Sequence, residues 1–147
     1  MTLFTIGFTQ TTARGFFERI TAAGVRIVLD TRIHRDSQLS GFAKAVDLEY
    51  FLAELSGSAY RAEPIFAPTA ELLKQYRDKQ LSWKEYEERY RLLLYERHPK
   101  DVLKPEDLDG ACLLCSEHKP DLCHRRLAAE YLCDAYRGAS PFEIVHL

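Results

Sequence analysis

No stretch of this sequence stays apolar for the roughly 18–20 residues that a bilayer-spanning helix needs. A membrane partner is therefore not expected. An excess of one charge is also missing: 20 Lys and Arg stand against 22 Asp and Glu, for a net charge of −2. That balance gives no overall attraction to nucleic acid or to an anionic surface, so any anion site has to be local. The opening Met1-Thr2-Leu3-Phe4-Thr5-Ile6-Gly7 has neither a basic n-region nor a small-residue cleavage site. It reads as a first strand rather than a signal peptide. The cytoplasm is the expected location, and thiols stay reduced there. Cysteine is scarce, at four residues in 147, which in a reducing setting argues against a disulfide framework. Internal repeats, low-complexity tracts and an interdomain linker are all missing. What remains is an ordinary soluble balance, 46% hydrophobic and 29% charged, in a chain long enough to bury its own core. Residues 1–147 read as one domain.

The pattern along the chain alternates strands and helices. Leu3 to Gly7 is a short apolar strand. Thr11 or Thr12 can cap a helix reaching about Ala23, which Gly24 ends. Val25 to Leu29 is nearly all apolar, as expected of a strand buried on both faces. It runs into the charged cluster Asp30-Thr31-Arg32. Residues 33–46 read as a long loop carrying Ser37, and loops of that length in compact domains are more often functional than idle. Asp47 is expected to cap a helix to about Leu55, and Ser58 to Arg61 to form a short strand. Thr69 starts a helix to about Lys79. Ser82 starts another, with Glu85 at the capping-box position. The stripe Trp83, Tyr86, Tyr90, Leu93 and Leu94 on that helix has core spacing, although such a wall could also hold a flat ligand. Asp109-Gly110 turns into a second buried strand, Ala111 to Cys115. Asp121 is expected to cap a helix to about Tyr136, and Phe142 to His146 is a last strand. This order predicts a three-layer, Rossmann-like α/β domain with a mainly parallel sheet.

The chemistry concentrates in CLLCSEHKPDLCHRR, Cys112 to Arg126, which holds three of the four cysteines and two of the five histidines. If the strands are parallel, Gly7, Asp30 with Arg32, and Cys115 with Glu117 end on one sheet edge, where ligands of open α/β sheets bind. The start of the helix after Asp121 adds free N–H groups and a positive dipole end there. Glu117, Asp30, Cys115, Cys123 and His124 are the candidate catalytic residues, as bases, nucleophiles or proton carriers. Arg32 and Arg125 are the candidate anion clamp, with Gly7 and Ser37 as further substrate-binding candidates. Arg126, four residues before Glu130, is expected to be dispensable. Cys112 and Cys133 read as structural. Cys115, Glu117, Cys123 and His124 are all possible zinc ligands, but Cys-x7-Cys-His is not a finger or ribbon spacing. Cys112 and Cys115 would point to opposite faces of a strand. No metal and no other cofactor is expected. A cysteine phosphatase needs Cys-x5-Arg, and counting from Cys115 places Asp121 where the arginine should be.

These segments resemble the DUF488 family, a domain family of unknown function. The resemblance is carried by TIGFT at 5–9, LDTR at 29–32, SQLSGFAK at 37–44, LLCSEHKPDLCHRRLAAEYL at 113–132 and VHL at 145–147. Phe8, Arg35 and Ile65-Phe66-Ala67-Pro68 depart from residues common in that family. The resemblance implies a compact α/β domain with a shared pocket, and it supplies no reaction. Two readings follow. One is a small cytoplasmic enzyme acting on an anionic or nucleotide-like small molecule. The other is a non-catalytic domain that binds a nucleotide or nucleic-acid end. A third, Cys115 with Cys123 as a redox-responsive thiol pair, requires their α-carbons within about 7 Å. The sequence does not set the oligomeric state.

Overall fold

Strand β4 (Ala111–Cys115) is buried at every residue and sits at the centre of the molecule. In the computed structural model, which describes residues 1–36, 40–138 and 141–147, it pairs on one side with β1 (Thr2–Gly7) and on the other with β2 (Ile27–Asp30). β3 (Ala59–Ala62) joins β2, and β5 (Glu143–His146) joins β1, giving the order β3-β2-β4-β1-β5. Every pairing is parallel. A parallel pair needs a crossover connection, and the helices supply it: α1 (Ala13–Ala22), α2 (Ala45–Ser56), α3 (Ala70–Arg77), α4 (Trp83–Arg97), the short α5 (Pro105–Leu108) and α6 (His124–Tyr136). None of the described helices is long and apolar enough to cross a membrane.

Side chains alternate across a strand, and the two faces of this sheet pack different helices. Leu3, Leu29 and Leu113 share a core with Tyr90 and Leu94 of α4 and with Leu127 and Leu132 of α6. Ile6, Val28, Cys112 and Leu114 face the other way, onto Phe16 and Ile20 of α1 and Leu48 and Leu52 of α2. This is the expected three-layer α/β architecture, with a sheet that is wholly parallel among the described residues. Cys112 and Cys115, three apart, lie on opposite faces.

Helix starts follow their caps. Thr12, Thr69 and Ser82 each accept a hydrogen bond from the backbone N–H three residues on, and Ser82 with Glu85 closes the capping box. Two expected caps are corrected. α2 begins at Ala45, before Asp47, on a Lys44 cap with no side-chain bond. α6 begins at His124 with Cys123 as its cap, not at Asp121. The reason is a turn: Cys123 N–H donates to Pro120 O at 3.1 Å, so the chain closes on itself before the helix starts. β2 begins two residues later than the apolar run, because Val25 N–H is used to end α1 on Ile20 O at 3.2 Å. Inside the stretch 33–46, Gly41–Ala43 forms one 3-10 turn.

Candidate functional site

A cavity of about 670 Å³ opens beyond the C-terminal ends of β2 and β4. Its floor is Cys115 to Glu117, with Cys123 and His124 at the start of α6. Arg32 to Asp36 form one side. Leu73, Tyr76 and Arg77 of α3, and Trp83 and Tyr86 of α4, form the other. The Trp83 and Tyr86 rings are stacked, 5.2 Å apart at 24°. The aromatic stripe is divided: Tyr90 is core, while Trp83 and Tyr86 also face the cavity.

Cys115 ends β4 on the face that packs α4 and α6. Its Sγ is 3.6 Å from His124 Nδ1. The other ring nitrogen, Nε2, is 3.0 Å from Thr31 O and 3.1 Å from Thr31 Oγ1. A carbonyl can only accept, and the Thr31 hydroxyl already donates to Leu114 O at 2.8 Å. The network therefore assigns the ring proton to Nε2, leaving Nδ1 as an acceptor for the Cys115 thiol. Burial lowers the His124 pKa from its ordinary value, so the ring is neutral near pH 7 and able to take a proton.

The two cysteines of β4 show how much these surroundings matter. Burial alone pushes the Cys112 thiol far up. Cys115 is equally buried but is shifted down. The Cys123 thiol donates to it, the N–H groups of Ser116 and Glu117 add to that effect, and the Arg125 charge lies nearby. Donors aimed at a sulfur favour its thiolate. Cys123 moves the other way, since its proton is held by Cys115 and its own site is buried. The result is a directed chain from Cys115 through His124 to Thr31, with the Cys123 sulfur within 4.8 Å of it.

Arg32 is fixed from the opposite face. Its Nε and Nη2 donate to the two oxygens of Asp30 at 2.9 and 2.8 Å, and Nη2 also donates to Ala43 O at 2.7 Å. The guanidinium lies over the Phe8 ring, 5.1 Å from its centroid. Nη1 is a buried donor without an acceptor among the described residues, in a side chain that lines the cavity. An unmatched buried donor of this kind is costly in a folded protein.

Several expected site residues prove to be supports. Asp30 is corrected from base to anchor. It points to the same face as Val28, away from the cavity, and accepts from Arg32 N–H, Nε and Nη2 and from Tyr60 OH at 2.8 Å. No lone pair is left for proton transfer. Arg125 is corrected from clamp to brace. It is fully buried, and its guanidinium donates to Glu117 O, to His118 O at 3.1 Å and to Thr5 Oγ1 at 3.4 Å. Thr5 Oγ1 in turn lies 2.6 Å from His146 Nδ1. Gly7 has to be glycine for packing: a Cβ there would fall 1.7 Å from Glu117 O. The Glu117 side chain sits exposed at the cavity rim. Ser37 lies outside the described residues. Cys123 N–H is used in the turn, so it is not free for an anion as the expected helix start would have left it. Thr31, which orients the imidazole, was not singled out from the sequence. Strand alternation puts it on the opposite face from Asp30, and that was the available signal.

The ligand atoms of Cys115, Cys123 and His124 lie within 4.8 Å of one another, the one such group among the described residues. Two thiolates and an imidazole would suit a thiophilic divalent ion such as zinc, with a fourth position open to the cavity. Cys115 and His124 also bond each other with no ion involved.

Residues 12–132 match a family model described as a domain of unknown function, DUF488. The chain belongs to that family. The match runs from the cap of α1 into α6, so it spans Asp30 to Arg32, Cys115 and Cys123 to Arg125 of this DUF488 protein. Searches of curated proteins and of solved structures gave no match.

Proposed function

We propose that this DUF488 protein is a thiol-dependent enzyme acting on a small anionic, nucleotide-like molecule bound at the C-terminal edge of the sheet. One observation carries the reading: the directed chain in which the Cys115 thiol meets His124 Nδ1 at 3.6 Å while Nε2–H is held by Thr31 O at 3.0 Å. A nucleophile, a base within reach and a third group orienting the base are the parts that covalent catalysis needs. His124 takes the proton as the Cys115 sulfur attacks the electrophilic centre. It returns that proton to the departing group, and water then releases the product from sulfur. Arg32 receives the anionic group, and the Trp83 and Tyr86 rings offer a flat surface for a base. The reading uses no metal, and it needs reduced thiols, as a cytoplasmic setting would keep them.

The test is alkylation of the reduced protein with iodoacetamide, followed residue by residue by mass spectrometry. Cys115 should react far faster than Cys112, with a half-maximal pH below the ordinary thiol value. His124→Gln should slow it. Inorganic phosphate and adenosine monophosphate should protect Cys115 in the wild type and protect it less in Arg32→Lys, which keeps the charge but loses the planar fork. Protection of a thiol no more reactive than Cys112 would leave the non-catalytic binding domain and remove the enzyme. Reactivity without protection by either anion would remove the substrate class.

A further inference from the structure

The fold sorts its four cysteines by place. Cys112 faces the α1–α2 core. Cys133, on α6, reaches Phe142 O at 3.4 Å on the β5 side. Cys115 and Cys123 alone both line the cavity, and their sulfurs lie within 4.8 Å of each other. The chain between them is the loop that joins β4 to α6. Cys123 is the cap of α6, with extended backbone angles of φ −138° and ψ 137°. Its side chain can therefore swing toward β4 without unwinding the helix. A disulfide needs the sulfurs to close to about 2.05 Å, a movement that one cap residue and its loop can absorb.

We propose that Cys115 and Cys123 form a peroxide-oxidisable pair, in which Cys115 is the sulfur attacked and Cys123 the one that resolves it. This goes beyond the catalytic reading and rests on it only through the reactivity of Cys115. In the first step the Cys115 thiolate attacks one oxygen of a small hydroperoxide. A sulfur–oxygen bond forms, the oxygen–oxygen bond breaks, and the alcohol or water that leaves takes a proton, for which His124 is in place. In the second step the Cys123 sulfur attacks the sulfenic sulfur. The disulfide forms, the sulfur–oxygen bond breaks, and hydroxide leaves as water with the Cys123 proton. The two thiols together lose two electrons and the peroxide gains them. A dithiol reductant reverses the change. The disulfide removes both the nucleophile and the donor that tuned it, so the oxidised form has no attacking group for the anionic substrate.

The experiment uses the reduced, chelator-treated full chain with hydrogen peroxide, read by intact mass and peptide mapping. The wild type should lose two hydrogens and yield a Cys115–Cys123 linked peptide, with alkylation of Cys115 abolished and then restored by dithiothreitol. Cys123→Ser removes the resolving sulfur and leaves the attacked one in place. After peroxide it should give a dimedone adduct at Cys115 and no disulfide. Cys112→Ser should behave as the wild type. Oxidation of Cys115 straight to the sulfinic acid in the wild type would overturn the proposal, as would a disulfide that includes Cys133. So would one zinc per chain, retained through chelation, that leaves both thiols inert to peroxide. Fast alkylation and anion protection in a protein that forms no disulfide would sink this inference and leave the enzyme reading standing.

Discussion

Replacing Gly7 by alanine tests whether the loop after β4 is held as tightly as its geometry implies. The new Cβ would lie 1.7 Å from Glu117 O and 2.6 Å from Glu117 C, and 3.1 Å from Arg125 Nη1. Carbon and oxygen sit comfortably at about 3.3 Å or more, so the Glu117 carbonyl has to retreat by roughly 1.5 Å. That breaks its bond to Arg125 Nη1 and leaves a guanidinium donor unmatched in a fully buried side chain. A hydrogen bond to a charged group contributes about 1.5–3 kcal/mol, and stranding a buried donor costs about 1–3 kcal/mol more. The expected loss is about 3–5 kcal/mol. With a urea slope near 2 kcal/mol/M for a small domain, the unfolding midpoint should fall by about 2 M. Cys115 alkylation should also slow under native conditions, because Glu117 N–H is among the donors that favour its thiolate. Gly41→Ala is the control: its Cβ would meet nothing within 4 Å among the described residues, and the midpoint should hold or rise slightly. A Gly7→Ala protein within about 1 kcal/mol of the wild type would refute the argument, since the loop would then have room the structure denies it.

Asp30→Asn should weaken phosphate protection of Cys115 by about tenfold, because Arg32 loses the charge-assisted grip that aims it; unchanged protection in the titration would separate Arg32 from the anion. Arg126→Ala should leave that protection intact, since Arg126 is occupied with Glu130 at 2.7 Å and Glu87 at 3.7 Å. The lost half-exposed pairs should lower stability by no more than about 1 kcal/mol in a denaturant titration; a larger loss of anion protection at Arg126 than at Arg32 would relocate the site. Burial raises the phenol pKa of Tyr60, Tyr86 and Tyr90 above the ordinary 10.0, helped at Tyr60 by the Asp30 charge. The folded state thus favours their protonated forms, and this stability is complete below about pH 10 and lost as pH rises through the native values. These phenols should ionise only as the protein unfolds, so phenolate absorbance in which all eight tyrosines titrate near pH 10 in a folded protein would contradict the burial argument.

The order of strands and helices, and the gathering of Asp30, Arg32 and Cys115 at one sheet edge, could be read from apolar runs and caps, because those signals are local. Which way each strand-end residue faces was harder to read, though the period was there. Asp30 shares its face with Val28, and Cys115 shares the opposite one with Leu113. Counting from the apolar neighbours separates Asp30, which anchors Arg32, from Cys115, which lines the cavity. Arg125 misled by its charge. At three and seven residues before Ala128 and Leu132 it lies on the buried stripe of α6, and two backbone carbonyls make its burial tolerable. The start of α6 depended on the Pro120 turn, a backbone contact that side-chain preferences do not announce. The pairing of His124 with Thr31 joins residues 93 apart in the chain, and no local pattern carries that.

β4 is hydrogen-bonded on both sides, to β1 and β2, so its reading frame is locked by two neighbours at once. Two sulfurs of identical intrinsic chemistry sit on this strand, and their separation by an odd number of positions, three, decides their fates. Deleting Leu113 or Leu114 would put both sulfurs on one face, delivering Cys115 to the side that packs α1 and α2. The frame thus acts as an address, and substitutions can drift at Cys112 while a change of length in β4 cannot be absorbed.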